Sequence, residues 1–268
     1  MMYKAKQHKL ITADLKTDYI TFGTGSKTLV MIQGLNTNGI NGAAIPFAYM
    51  YRIFAKDYNV YLFDRRQDVR EGITVRDMAN DTAMAMDALN ISKADIIGVS
   101  QGGMVAQYLA IDRPDLVNKM ILAVTLSRNN DTVSSVIQNW ITLTEQNNIK
   151  QLVYDMATKM YSDNYIKKYK PFLPLLTLMQ KPKDARRFII LAKACLTCET
   201  YDLLDLIECP VLVIGARKDN VVTGEASEEM ARRLNCELKM YDDLGHAAYE
   251  EARDFNSIML NFLKKEQC

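Results

Sequence analysis

The sequence predicts an α/β protein: a mostly parallel central sheet flanked by helices, interrupted by an inserted helical segment. Three observations carry that expectation. Strand-like and helix-like segments alternate over the first half of the chain and again near its end, which implies a parallel sheet with helices on both faces. Val60-Tyr61-Leu62-Phe63 and Val211-Leu212-Val213-Ile214 are near-continuous apolar runs, the pattern of strands covered on both sides. From Asn130 to about Leu206 the alternation stops and the pattern is helical, as an insertion would read.

Taken in order, strand-like runs rich in β-branched and aromatic residues occur at Lys9 to Asp14, Tyr19 to Phe22, Thr28 to Gln33 and Asn59 to Asp64, the first two suited to an antiparallel hairpin. Helices are expected around Ala43 to Lys56 and from Thr74 to Leu89, and a strand at Ala94 to Ile97. A helical pattern follows from Met104 to Ile111, then a strand at Lys119 to Thr125. In the insertion, Val133, Val136, Ile137, Trp140 and Ile141 share one helical face, and Ile149, Leu152, Val153, Met156 and Met160 another. Pro171 and Pro174 break the next helix, and Pro182 is read as the first-turn residue of a helix through Phe188, Leu191 and Cys195. The sheet resumes at Pro210 to Gly215, followed by a helix from Glu225 to Leu234, a strand at Glu237 to Tyr241 and a terminal helix after His246. Residues 1–127 and 207–268 are thus expected to form the core, and 128–206 a helical cap.

A chain of 268 residues with 49% apolar residues can bury a large core without disulfides or metal. The net charge of +1 offers no global attraction for nucleic acid or an anionic membrane surface, so a small neutral or weakly charged ligand is the expected partner. Oligomeric state stays open. The start of the chain is polar and basic without a following apolar stretch, and no later segment is apolar enough to span a bilayer; the expectation is a cytoplasmic protein. Five cysteines fit a reducing compartment, and Cys195-x-x-Cys198 in a helical pattern reads as packing rather than a metal site.

The chemistry is concentrated at Gly98-Val99-Ser100-Gln101-Gly102, a G-x-S-x-G segment between a strand and a helix. So sharp a turn holds the serine in a strained conformation, the two glycines remove collisions, and the hydroxyl is lifted toward unsatisfied N–H groups at the start of the next helix. A serine hydroxyl needs a general base, and the chain contains two histidines. His8 precedes the hairpin, where a solvated surface role is the default, whereas His246 lies in the loop between the last strand and last helix. The orienting acid should come after the serine, from the carboxyl end of a strand; Asp219 meets both conditions and Asp131 is the runner-up. For a developing oxyanion, the expected donors are the backbone N–H groups of Gln101 and of Leu35 in Gln33-Gly34-Leu35.

On these motifs and their order the chain resembles the α/β-hydrolase fold superfamily over essentially its whole length; Asp64-Arg65-Arg66 and Asp77 to Asp81 resemble the segment after that family's fourth strand. The resemblance implies a serine hydrolase with a helical cap, with Ser100, Asp219 and His246 as nucleophile, acid and base. Gln33, where many relatives carry histidine, and Gln101, often apolar in relatives, are departures; either amide could contact substrate.

A serine nucleophile points to acyl transfer, because a serine ether could not be released by attack at a carbonyl. Esterase, lactonase, thioesterase, carbon-carbon bond hydrolase, perhydrolase and acyltransferase chemistries share that logic, and a non-hydrolytic ligand sensor on the same fold is the alternative from another class. No cofactor or metal is expected. Trp140, Tyr154, Met156, Met160, Tyr161, Phe172, Leu175, Leu176 and Met179 are candidates to wall an apolar pocket, which suggests a small or medium, largely apolar acyl ester. Glu145 and Glu199 are the cap glutamates that could hold a peptide amine, although solvated surface positions suit them better.

Overall fold

A computed structural model describes residues 2–169 and 181–266. Its centre is an eight-stranded sheet in the order β1-β2-β4-β3-β5-β6-β7-β8. β1 (Lys6–Ile11) and β2 (Lys16–Gly23) form the expected antiparallel hairpin, and β2 continues antiparallel to β4 (Tyr58–Phe63). The remaining neighbours, β3 (Lys27–Ile32), β5 (Ala94–Val99), β6 (Val117–Ala123), β7 (Val211–Ala216) and β8 (Glu237–Tyr241), pair in parallel. Val60, Leu62 and Phe63 are buried, as is every residue of β7, which explains their uninterrupted apolar character.

The strand order reverses at β3, which has β4 on one side and β5 on the other. Such a reversal opens a crevice at the carboxyl ends of the strands, because the two connections leave in opposite directions. Ile32 is in register with Gly98, so the loop from Gln33 and the turn at Ser100 emerge side by side. Gly34, in the loop after β3, and the serine therefore come together through sheet register.

Among the helices, α1 (Ala44–Met50) ends earlier than the expected Lys56 and passes into a 3₁₀ turn, Arg52–Phe54. α2 (Val75–Ala88) starts at a reciprocal cap in which Thr74 accepts from Asp77 N and Asp77 accepts from Thr74 N, closing two otherwise open N–H groups. α3 (Gln101–Asp112) begins directly at the elbow, three residues before the apolar pattern at Met104 announces it. Between β6 and β7 lie α4 (Asp131–Glu145), α5 (Ile149–Met160), α6 (Asp163–Tyr169) and α7 (Ala185–Cys195). Val133, Val136, Ile137, Trp140 and Ile141 are buried together on α4, as predicted. Asp184, not Pro182, starts α7: its side chain accepts from Arg187 N, and a capping acceptor outweighs a proline's preset φ. Pro171, Phe172, Pro174, Leu175, Leu176 and Met179 lie outside the described residues. After β7 come α8 (Gly224–Leu234), α9 (Ala248–Glu251) and α10 (Phe255–Lys264), so the single terminal helix expected is two. No helix among the described residues is long and apolar enough to cross a membrane.

Candidate active site

Ser100 sits at φ 53, ψ −122, a region that non-glycine residues avoid. The strain is held from both sides. Ser100 N donates to Ala123 O at 2.9 Å, and Ser100 O accepts from Gly103 N at 2.8 Å and from Thr125 Oγ1 at 2.7 Å. A side chain at Gly98 would strike Gly102 O, and one at Gly102 would lie 1.9 Å from Ile32 O. The second clash is with the neighbouring strand, so Gly102 serves the approach of α3 to β3 as well as the turn itself.

His246 and Asp219 reach Ser100 from the ends of β8 and β7. The two loops are fastened by Arg217 N donating to Tyr241 O and Lys218 N to Leu244 O. His246 Nδ1 lies 2.8 Å from Asp219 Oδ2, and Nε2 lies 2.9 Å from Ser100 Oγ. Asp219 Oδ1 accepts from Val221 N at 2.8 Å and Val222 N at 3.0 Å, leaving Oδ2 for the histidine. An ionised carboxylate only accepts, so Nδ1 carries the proton and the Nε2 lone pair faces the serine hydroxyl. Both side chains are buried, His246 at 3% and Asp219 at 6% exposure, which shields the pair from water and strengthens the interaction. Asp131, the runner-up, is the exposed first residue of α4. His8 lies on β1, bonded to Thr21 Oγ1 and stacked on Tyr19.

Leu35 and Gln101 flank Ser100, and neither backbone N–H has an acceptor among the described residues. Two N–H groups without acceptors beside one serine can hold an oxyanion. The Gln101 side chain does not face the serine. Its Oε1 accepts from Arg65 Nε at 3.2 Å and its Nε2 donates to Leu191 O of α7 at 2.7 Å. Gln33 is likewise turned away: Nε2 donates to Asp64 Oδ1 at 3.2 Å, and its carbonyl accepts from Arg65 Nη2 at 2.6 Å. Neither glutamine lines the chamber at Ser100, and these bonds anchor the two loops.

Ser100 opens into a chamber of about 40 Å³. Trp140, Met156 and Met160 line it as expected, with the Trp140 indole N–H bonded to Asp155 Oδ2 at 2.8 Å. Tyr154 does not; it is 50% exposed, because it follows Val153 by one residue and so projects about 100° away from the buried face. Tyr161 is turned to Glu250, donating its hydroxyl to Oε2. Glu145 and Glu199 are exposed and line no part of the chamber. Tyr249, Val221, Val222 and Met104 were not anticipated as walls, and Val133, Ile137 and Cys195, read as packing, also line it. For Tyr249 a signal existed, since it lies three residues after His246 at the start of a helix. Burial pushes the Cys195 thiol up to about 11, so it stays an uncharged wall.

The insertion is fastened to the strand-end loops at several places besides the Gln101–Leu191 bond. Arg187 of α7 donates to the carbonyls of Arg65 and Gln67. At the end of α5, Met160 O accepts from Ala247 N at 2.7 Å, next to His246, and Ser162 N donates to Glu251 Oε1.

Residues 27–253 match the sequence model of the alpha/beta hydrolase fold. The chain belongs to the alpha/beta hydrolase family. Among curated relatives of this hydrolase, the protein named "Putative carbamate hydrolase RutD" of Caulobacter sp. (strain K31) is 26% identical over 253 residues, covering 90% of this chain and 91% of that one. 3-Oxoadipate enol-lactonase 1 of Acinetobacter baylyi is 25% identical, covering 78% and 80%. An alpha/beta hydrolase, MGS-M2, from a Medee basin deep-sea metagenome superposes with a TM-score of 0.88 at 19% identity, covering 97% and 98% of the two chains; it shows the fold alone. With relatives named as hydrolases, this alpha/beta hydrolase chain is an enzyme of that class.

Proposed function

We propose that the chain is a serine hydrolase that cleaves a small or medium, largely apolar acyl ester through an acyl-serine intermediate. The observation that carries this reading is the relay in which His246 joins Asp219 Oδ2 at 2.8 Å to Ser100 Oγ at 2.9 Å. Ser100 Oγ attacks the carbonyl carbon while His246 Nε2 takes its proton, and Asp219 holds the tautomer and stabilises the imidazolium. The N–H groups of Leu35 and Gln101 receive the oxyanion. Collapse expels the alcohol, protonated by His246, and a water that gives its proton to the same nitrogen releases the acid. The helical insertion acts as the cap that encloses this chemistry.

Substrate character follows from the walls. No Lys or Arg lines the chamber among the described residues, so a carboxylate-bearing substrate would be buried there without a counter-charge, at a cost of several kcal/mol. An uncharged, apolar acyl group suits it. A lactone or thioester presents the same carbonyl to the same serine.

The test is reaction with a fluorophosphonate probe read by intact mass, for wild type and Ser100→Ala, followed by a p-nitrophenyl ester chain-length series. Labelling of wild type alone is expected, with kcat for Ser100→Ala lower by about 10⁴-fold or more. Undiminished turnover by purified Ser100→Ala overturns the reading; saturable ligand binding without labelling or turnover would favour a sensor.

A further inference from the structure

On the far side of the Gln33–Asn36 loop lies a second cavity, of about 250 Å³. Phe47, Met50 and Tyr51 wall it from α1 and the turn after it, and Leu62, Ile97 and Val99 from the ends of β4 and β5. It shares Gly34, Leu35 and Tyr249 with the Ser100 chamber. The partition is thin. At Gly34 it is a bare backbone, where even a Cβ would lie 3.4 Å from Val99 O, in the second cavity's wall, and 3.7 Å from Ser100 Oγ. Tyr249 completes it with a hydroxyl that has no hydrogen-bond partner among the described residues, so no bond opposes rotation of the ring.

Volume makes the second cavity matter. The Ser100 chamber, at about 40 Å³, has room for a few water molecules. An ester carbonyl carries two substituents, and with the oxyanion fixed at Leu35 N and Gln101 N they leave the reacting carbon in different directions. The chamber offers little room for both. We propose that the second cavity is a substrate subsite that receives one uncharged hydrocarbon arm of the ester, admitted past Tyr249 and Leu35. This inference rests on Ser100 being the nucleophile. Its walls are mostly apolar, and the one carboxylate on its rim, Glu250, disfavours an anionic arm. The arm is either the acyl tail or the alkyl group of the leaving alcohol, two sources of the same chemistry.

Filling the cavity tests it. Met50→Trp and, as a second variant should the first not fold, Phe47→Trp are assayed on p-nitrophenyl acetate to octanoate, which lengthens the acyl arm, and on ethyl to octyl acetate, which lengthens the alcohol arm. The ratio of kcat/KM for the longest to the shortest ester is expected to fall about tenfold or more, as occlusion of a hydrocarbon pocket does, and in one series alone, naming the arm. A ratio equal to wild type in both series, in a folded variant that the fluorophosphonate labels at the wild-type rate, overturns the subsite. Failure of wild type to label instead removes the Ser100 reading, and the subsite with it.

Discussion

The Arg65 guanidinium is buried and donates from Nε to the side-chain Oε1 of Gln101, the residue that follows Ser100. Its Nη2 donates to Gln33 O, so one cation holds Gln101, one candidate oxyanion donor, and Gln33, two residues before the other. Burial lowers its pKa to about 10, which still leaves it charged at neutral pH. Arg65→Met strands the buried Gln101 oxygen, and Gln101→Met takes an acceptor from a buried cation; each is expected to cost about 1–3 kcal/mol. The double variant should cost less than the sum, with a coupling of about 0.5–3 kcal/mol. Urea unfolding of the four proteins measures it, and strict additivity would show the contact to be energetically idle.

Asp219 fixes the His246 tautomer through a carboxylate already held by Val221 N and Val222 N. Asp219→Asn preserves the shape but offers the imidazole a group able to donate, favouring the wrong tautomer. A fall in kcat of about 10⁴-fold is expected, with thermal stability near wild type. A loss below tenfold in steady-state assays would mean that another acid serves His246.

Gly102 packs so closely on β3 that a Cβ would lie 1.9 Å from Ile32 O and 2.7 Å from Gln33 O. Both contacts are with backbone, so no side-chain rotation relieves them. Gly102→Ala is expected to lose more than about 4 kcal/mol or fail to fold, read from the thermal midpoint. A midpoint within a few degrees of wild type would show that α3 can slide off the sheet at little cost.

Asp81 is buried on α2 with Arg66 Nη1 at 3.3 Å, and its Oδ2 has no hydrogen-bond partner among the described residues. Burial raises its carboxyl above the ordinary range, against the opposing pull of Arg66. A carboxyl whose folded pKa exceeds its unfolded value contributes stability below the unfolded pKa and loses it as pH rises through the folded one. Asp81→Asn lacks that loss, so its thermal midpoint should improve relative to wild type as pH rises from below 3.8 toward neutral. A gap that stays constant or narrows across the titration contradicts the assignment.

Legibility differed by the range over which each property is decided. β8 is found at the predicted Glu237–Tyr241, and α2 lies one residue inside the predicted span at each end, because alternation and capping act within a few residues. Ser100, Asp219 and His246 were readable because strand-end loops of a parallel sheet converge on one edge and the chemistry needs those residue types in that order. Tyr154 was misplaced because a helical face one residue wide of the mark points to solvent. Gln33 and Gln101 were misread because the side chains that take up their amides, Asp64 and Arg65, are 31 and 36 residues away in sequence.

What the sequence determined by itself was the layered α/β architecture, the strained serine turn and the choice of His246 and Asp219 as its candidate partners, all set by local pattern and by the limited choice of groups suited to the chemistry. Only the tertiary structure decided where the Gln33 and Gln101 amides go, which insertion residues reach Ser100, and that a second cavity lies behind a single glycine of the loop after β3. Those properties depend on the register of β3 against β5 and on how α7 and α9 pack over the strand ends. Side chains far apart in sequence compete there for the same space and the same hydrogen bonds, and no local pattern records who wins.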